Sequence, residues 1–141
     1  MGNVEEMKIL LDTCAIIWTV SYPEHLTETA RYAISSKTAE IFVSPISCAE
    51  IACLSERKRI ELDRHWKTWF NHFVELNGWT VVPIDLIIIQ EAYSLPGDFH
   101  DDPADRIIVA TARSGEFHIV TSDRKILDYP YVKSIWQSKM N

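Results

Sequence analysis

No apolar run in this sequence approaches the ~20 residues that a membrane-spanning helix needs, so no membrane partner is expected. The opening stretch, MGNVEEMKILLD, carries two acids where an export signal places basic residues. No long apolar segment follows it, and the expectation is a cytoplasmic protein. Cysteines are few and odd in number: Cys14, Cys48 and Cys53. That excludes a framework stapled by paired disulfides and fits reduced thiols. Their apolar neighbours make all three expected core residues. His65 and His72 are seven apart, but no further histidine or cysteine completes a zinc set around them. His25 and His118 carry no signal. There is no internal repeat, low-complexity segment or linker. A surplus of basic residues is also missing, since the net charge is −6. This argues against a broadly basic phosphate-binding surface. It does not exclude nucleic acid, because a bound metal ion can supply positive charge locally.

What is present is a chain of 141 residues, enough for one core and too short for two, so residues 1–141 are read as one domain. Strand and helix patterns alternate along it. Lys8–Leu11 reads as a buried strand, and Thr13–Val20 and Leu26–Ser35 as helices. Glu40–Val43 is a second strand and Ser47–Leu54 a helix, followed by basic Arg57, Lys58 and Arg59. Asp63 is expected to cap a helix reaching Leu76, with Gly78 ending it. Trp66, Trp69, Phe70 and Phe73 recur there at the spacing of one helical face. Trp79–Ile84 reads as a strand, Asp85 opens a helix through Leu95, and Pro103–Ser114 is a helix stopped by Gly115. Phe117–Thr121 is a strand, Asp123 opens a helical turn to Asp128, and Val132–Trp136 is a last strand. This order predicts an α/β fold with a single parallel β-sheet of about five strands, flanked by helices on both faces. In such a sheet, ligands bind outside the carboxyl ends of the strands.

Acids stand at those ends. Asp12 falls between the apolar segments KILL and CAIIW, where a charge is costly unless paired. Glu50 follows the second strand in SPISCAEI. Asp101, Asp102 and Asp105 crowd before the apolar IIVATA, and Asp123 follows FHIVT. Each has a structural explanation. Asp12, Asp102 and Asp123 can be helix caps, and Ser47 with Glu50 has the spacing of a capping box. Taken together they are harder to dismiss, because parallel topology brings these junctions to one edge. Carboxylates converging there raise one another's pKa unless a cation intervenes. Oxygen-only ligands suit Mg²⁺ or Mn²⁺, and such an ion serves phosphodiester hydrolysis.

These segments, LLDTCAIIW, SPISCAEI, DPADRIIVATA and TSDRKIL, resemble in order the four motifs of PIN-domain ribonucleases, above all the VapC-like toxins of toxin–antitoxin pairs. The resemblance spans Asp12 to about Leu127. It implies a Mg²⁺- or Mn²⁺-dependent endoribonuclease, a homodimer, and a small antitoxin that blocks the site. Asp12, Glu50, Asp105 and Asp123 match the acidic quartet and are the expected catalytic and metal-binding residues. Asp102 matches an additional acid, and Thr13 and Thr121 match hydroxyl positions near the site. Arg57, Lys58 and Arg59, with Arg64 and Lys67, form the densest basic patch, and His100 lies beside the acids. Arg57, Lys58, Arg59 and His100 are candidate RNA contacts. Trp66, Trp69, Phe70 and Phe73 are either core or a groove for an antitoxin segment.

Two other functions compete. A haloacid-dehalogenase-like phosphatase needs a second Asp two residues after the first, where this chain has Cys14. A response-regulator receiver needs an acidic pair near the end of a strand preceding the phosphoacceptor strand, and Glu5 and Glu6 have no strand to carry them. A non-enzymatic binding module would not require the intact quartet.

Overall fold

The computed structural model describes residues 7–137; Glu5 and Glu6 lie outside them. Five strands make one sheet: β1 (Met7–Leu11), β2 (Ala39–Val43), β3 (Thr80–Val81), β4 (His118–Val120) and β5 (Lys133–Ile135). Their order is β3-β2-β1-β4-β5, and every neighbouring pair is parallel. The helices are α1 (Thr13–Ser21), α2 (Glu28–Ser35), α3 (Pro45–Glu56), α4 (Trp66–Asn77), α5 (Leu86–Ala92), α6 (Pro103–Gly115) and α7 (Arg124–Leu127).

The core has two faces because a strand points alternate side chains to opposite sides. Ile9 and Leu11 of β1 pack with Ala15, Ile16, Ala30, Ile51, Trp69 and Phe70, from α1 to α4. Leu10 packs the other way, with Ile108, Val109, Ile119 and Ile126, from α6, β4 and α7. Helices on both faces explain why β1 reads as an unbroken apolar run and not as an alternation.

The expected architecture stands, and several boundaries move. α4 starts at Trp66, capped by His65 Nδ1, which accepts from the Lys67 amide. Asp63 is not its cap: it lies outside the first turn and pairs with Arg64. α2 starts at Glu28 with Thr27 as cap, after a short 3₁₀ turn at Pro23–His25. β3 keeps two residues, and Pro83, which has no amide hydrogen, follows shortly after. α5 ends at Ala92, three residues before the expected Leu95. α6 runs through Gly115, and the left-handed residue that ends it is Glu116 (φ 58°). Gly115 is required for a different reason: a Cβ there would overlap the Phe117 ring.

The aromatic face of α4 is core at its centre. Trp69 is 2% exposed and Phe70 6%. Trp66 and Phe73 are half-buried and pack against the same cluster. Of the two readings weighed for this face, the groove is not open at Trp69 and Phe70, because both are buried in the cluster that α4 joins where it packs on α3.

Candidate active site

The strand order reverses direction at β1, so the crevice beside β1 and β4 is where a parallel sheet of this kind accepts a ligand. Two acids straddle it. Asp12 follows β1, and its amide continues the ladder to the Val120 carbonyl (3.2 Å). Asp123 stands just past β4. Two more acids arrive on helices: Glu50 on α3, whose N-terminus follows β2, and Asp105 in the first turn of α6. All four, together with Asp102, line one cavity of about 610 Å³.

Local capping sets the direction of each side chain. Asp12 caps α1, accepting from the Ala15 amide (2.9 Å), and is 8% exposed. Asp102 caps α6 through the Asp105 amide (2.9 Å). Asp123 caps α7 through the Lys125 amide (2.9 Å). A carboxylate has two oxygens and four acceptor positions, so capping leaves the rest free for the cavity. Glu50 differs from its expected role. The cap of α3 is the buried Ser44, which accepts from the Ile46 amide (3.1 Å), with Pro45 in the first helical position. Ser47 and Glu50 therefore form no capping box. The Thr13 hydroxyl instead meets Glu50 Oε1 and lies 3.0 Å from Ser47 Oγ, tying α1 to α3. Thr121, fully buried, accepts from the Asp123 amide (2.9 Å) and bonds Asp12, so one hydroxyl links two of the acids. Both threonines thus lie where the sequence placed them, in contact with carboxylates.

The electrostatics are unfavourable for a cluster of free anions. Burial, then the nearby Asp102, Asp123, Glu50 and Asp12, push Asp105 up to about 7. Burial also raises Asp12 to about 6, against hydrogen bonds from Thr121 and Ala15 that lower it, with Asp123 and Glu50 adding repulsion. Glu50 is raised as well, again chiefly by burial, and the Thr13 hydroxyl offsets part of this. Groups held this far from their ordinary range stand ready for a cation or a proton.

Other expected contacts divide. His100 lines the cavity, with Nε2 3.1 Å from Asp105 Oδ2 and Nδ1 accepting from the Asp102 amide (3.4 Å). Arg57 lines it too, whereas Lys58 and Arg59 are exposed beyond it. Four contributors escaped the sequence reading. Cys14 and Cys53 are exposed at the cavity wall and are not core, and Cys48 is only half-buried. Cys14, two residues past Asp12, lines the same cavity, and desolvation of its sulfur with the charge of the acids pushes its thiol up to about 11. Lys125 lines the rim two residues after Asp123. Arg106 donates to the carbonyls of Ala92 (2.9 Å), Phe99 (2.7 Å) and His100 (2.9 Å), fixing the loop that carries His100. Its position beside Asp105 in an otherwise apolar helix was the signal.

The PIN domain family model matches residues 9–130. The chain is 33% identical over 130 residues to ribonuclease VapC22 of Mycobacterium tuberculosis, covering 91% of this chain and 98% of that protein. Among solved structures it is similar in fold to DNA-bound VapBC from Salmonella typhimurium (TM-score 0.65, 19% identity, 91% of this chain and 96% of that one). It is also similar to VapBC2 from Rickettsia felis bound to a promoter DNA fragment (TM-score 0.63, 14% identity, 91% and 97%).

Proposed function

This chain belongs to the PIN-domain family, and from that premise we propose that it is a divalent-metal-dependent endoribonuclease, the toxin of a toxin–antitoxin pair, acting through a single nuclease domain. The observation that carries the reading is the meeting of Asp12, Glu50, Asp105 and Asp123, from four separate elements, around one cavity at the carboxyl edge of the sheet.

The donor set fits a hard cation. It offers carboxylate oxygens, two of them on groups that burial makes reluctant to stay charged alone. Among the described residues no three of these side chains already stand together as metal ligands, so an ion would draw the carboxylates inward as it binds and keep water in the rest of its shell, as Mg²⁺ commonly does. Asp12, Asp105 and Asp123 would hold it directly, and Glu50 directly or through water. When bound, Mg²⁺ or Mn²⁺ supplies Lewis acidity toward a phosphate and lowers the pKa of water.

The chain's own residues do the rest. Thr13 and Thr121 fix the rotamers of Glu50 and Asp12. Asp102 fixes the first turn of α6 and so the direction of Asp105. Glu50, bonded to the Thr13 hydroxyl and open to the cavity, is placed to take a proton from an attacking water. His100, beside Asp105, and Arg57 are placed to contact the RNA. The same proposal includes an antitoxin partner, cytoplasmic action and a homodimer. Leu86 and Ile87, exposed on α5, and Tyr93, exposed just past its end, supply an apolar face for a second copy. A catalytically silent binding module would have no use for a buried acid beside three more that repel it, and the aspartate phosphotransferase reading fails where Cys14 replaces a second acid.

The test is RNA cleavage by the purified chain with and without Mn²⁺, alongside Asp105→Asn. Cleavage that needs Mn²⁺ and is lost in the variant supports the reading. A fully active Asp105→Asn refutes the site assignment, and no cleavage of any RNA refutes the ribonuclease.

A further inference from the structure

Five acids line the cavity, on a chain of net charge −6. An RNA strand entering it meets repulsion on every side except where a permanent cation stands. Two such cations line it, Arg57 and Lys125. Neither forms an ion pair among the described residues, whereas Arg64 and Arg124 do. Both side chains are exposed, so their charges are free to meet a solvent-borne anion.

They come from different elements. One stripe of α3, Ala49, Glu50, Cys53, Leu54 and Arg57, forms a wall of the cavity. The spacing is three and four residues, that of a single helical face. Along it Arg57 lies seven residues beyond Glu50, or roughly 10 Å at the rise of an α-helix. The Arg57 side chain therefore starts from a point well along that wall from Glu50. Lys125 belongs to a different wall, two residues past Asp123 at the start of α7. The strands that lead into these two walls, β2 and β4, lie on either side of β1, and Asp12 follows β1 between them.

We propose that Arg57 and Lys125 bracket the catalytic carboxylates and hold the RNA phosphates on either side of the one that is cut. This rests on the ribonuclease reading and deepens it. The bracket draws the strand across the acids at two points and leaves the central phosphate to the metal-holding quartet. It also bears on selectivity. No Phe, Tyr or Trp lines the cavity among the described residues, and His100 is the one ring of the lining on which a base can stack. The bracket itself grips backbone, so it adds affinity without reading sequence.

The experiment measures binding of a short fluorescein-labelled single-stranded RNA of mixed sequence to the full chain carrying Asp105→Asn, which leaves the probe uncut, at fixed Mg²⁺ across a range of KCl. Arg57→Gln, Lys125→Gln, both together, and Lys133→Gln on β5 outside the cavity are compared in that background. Each bracket variant flattens the plot of log affinity against log salt by about 0.7, the single-strand value per phosphate contact, and the double by about twice that. Arg57→Lys keeps the slope, and Lys133→Gln leaves it unchanged. Slopes for Arg57→Gln and Lys125→Gln equal to that of Lys133→Gln overturn the bracket, as does a probe that fails to bind at low salt. If Mn²⁺-dependent cleavage by the parent chain survives while the slopes do not move, the bracket alone is wrong. If the parent cuts no RNA, the ribonuclease reading falls and the bracket with it.

Discussion

Replacing Asp12 by Asn is expected to stabilise the metal-free protein at neutral pH. Asp12 is 8% exposed and its carboxyl is raised from 3.8 to about 6, first by burial. For an acid, a raised folded-state pKa means that the folded chain holds its proton over a range where the unfolded chain has lost it. Stability from this group therefore falls as pH rises from about 4, and the full cost is present above about 6. Roughly two pKa units correspond to about 3 kcal/mol at 1.36 kcal/mol per unit. Asn keeps the oxygen that accepts from the Ala15 amide but brings a buried NH₂ that needs its own partner, which costs about 1–3 kcal/mol where none is found. A net gain of about 1–2 kcal/mol remains at pH 7.5 when one of those two hydrogens finds an acceptor in the acid-lined cavity. The assay is urea unfolding in EDTA at pH 4 and pH 7.5. The variant's advantage should appear at pH 7.5 and vanish or reverse at pH 4. A difference that does not change with pH, or a variant less stable at pH 7.5 than at pH 4 relative to the parent, would refute the burial argument.

Trp69→Ala should cost about 3–5 kcal/mol in chemical denaturation, the range for a buried aromatic, because Trp69 is 2% exposed; a cost under 1 kcal/mol would restore the open groove. Gly115→Ala should destabilise by about 1–3 kcal/mol, as overpacking does, since its Cβ would overlap the Phe117 ring; a melting temperature equal to the parent's would contradict this. Thr13→Val should lower RNA cleavage while leaving the fold intact, and should move the acidic limb of its pH profile upward. Glu50 is raised already, and the Thr13 hydroxyl is what lowers it; an unmoved profile would remove Thr13 from the site.

The architecture was legible because burial on two faces leaves a plain trace. Lys8–Leu11 and Phe117–Thr121 are apolar runs that end at acids, and those acids cap the helices that follow. Asp12, Asp102 and Asp123 cap helices and line one cavity at once, so the two readings weighed for each are not exclusive. Glu50 was legible as an acid in place but not in role. Ser44 and Ser47 are both plausible caps three residues apart, and Pro45, favoured in the first helical position, was the sign that the helix begins at Ser44. The cysteines misled because apolar neighbours do not tell which side of a helix faces a cavity. Lys125 and Arg106 were hidden by the same limit: a single charged residue in a helix acquires meaning only when the helix is set against its neighbours. The aromatic stripe of α4 was read as one face, and packing divided it into buried Trp69 and Phe70 and half-buried Trp66 and Phe73.

The central claim is that Asp12, Glu50, Asp105 and Asp123 form one site for a divalent cation. Its most direct measurement is the thermal unfolding of the purified chain titrated with Mn²⁺, run beside Asp105→Asn and Asp123→Asn. An ion that binds only the folded chain stabilises it by ~2.7 kcal/mol at a hundredfold excess over its dissociation constant. The account predicts that Mn²⁺ raises the melting temperature of the parent progressively and that both variants lose most of that response while melting no lower than the parent in EDTA. A parent transition unmoved by millimolar Mn²⁺, or variants that respond as the parent does, would contradict it.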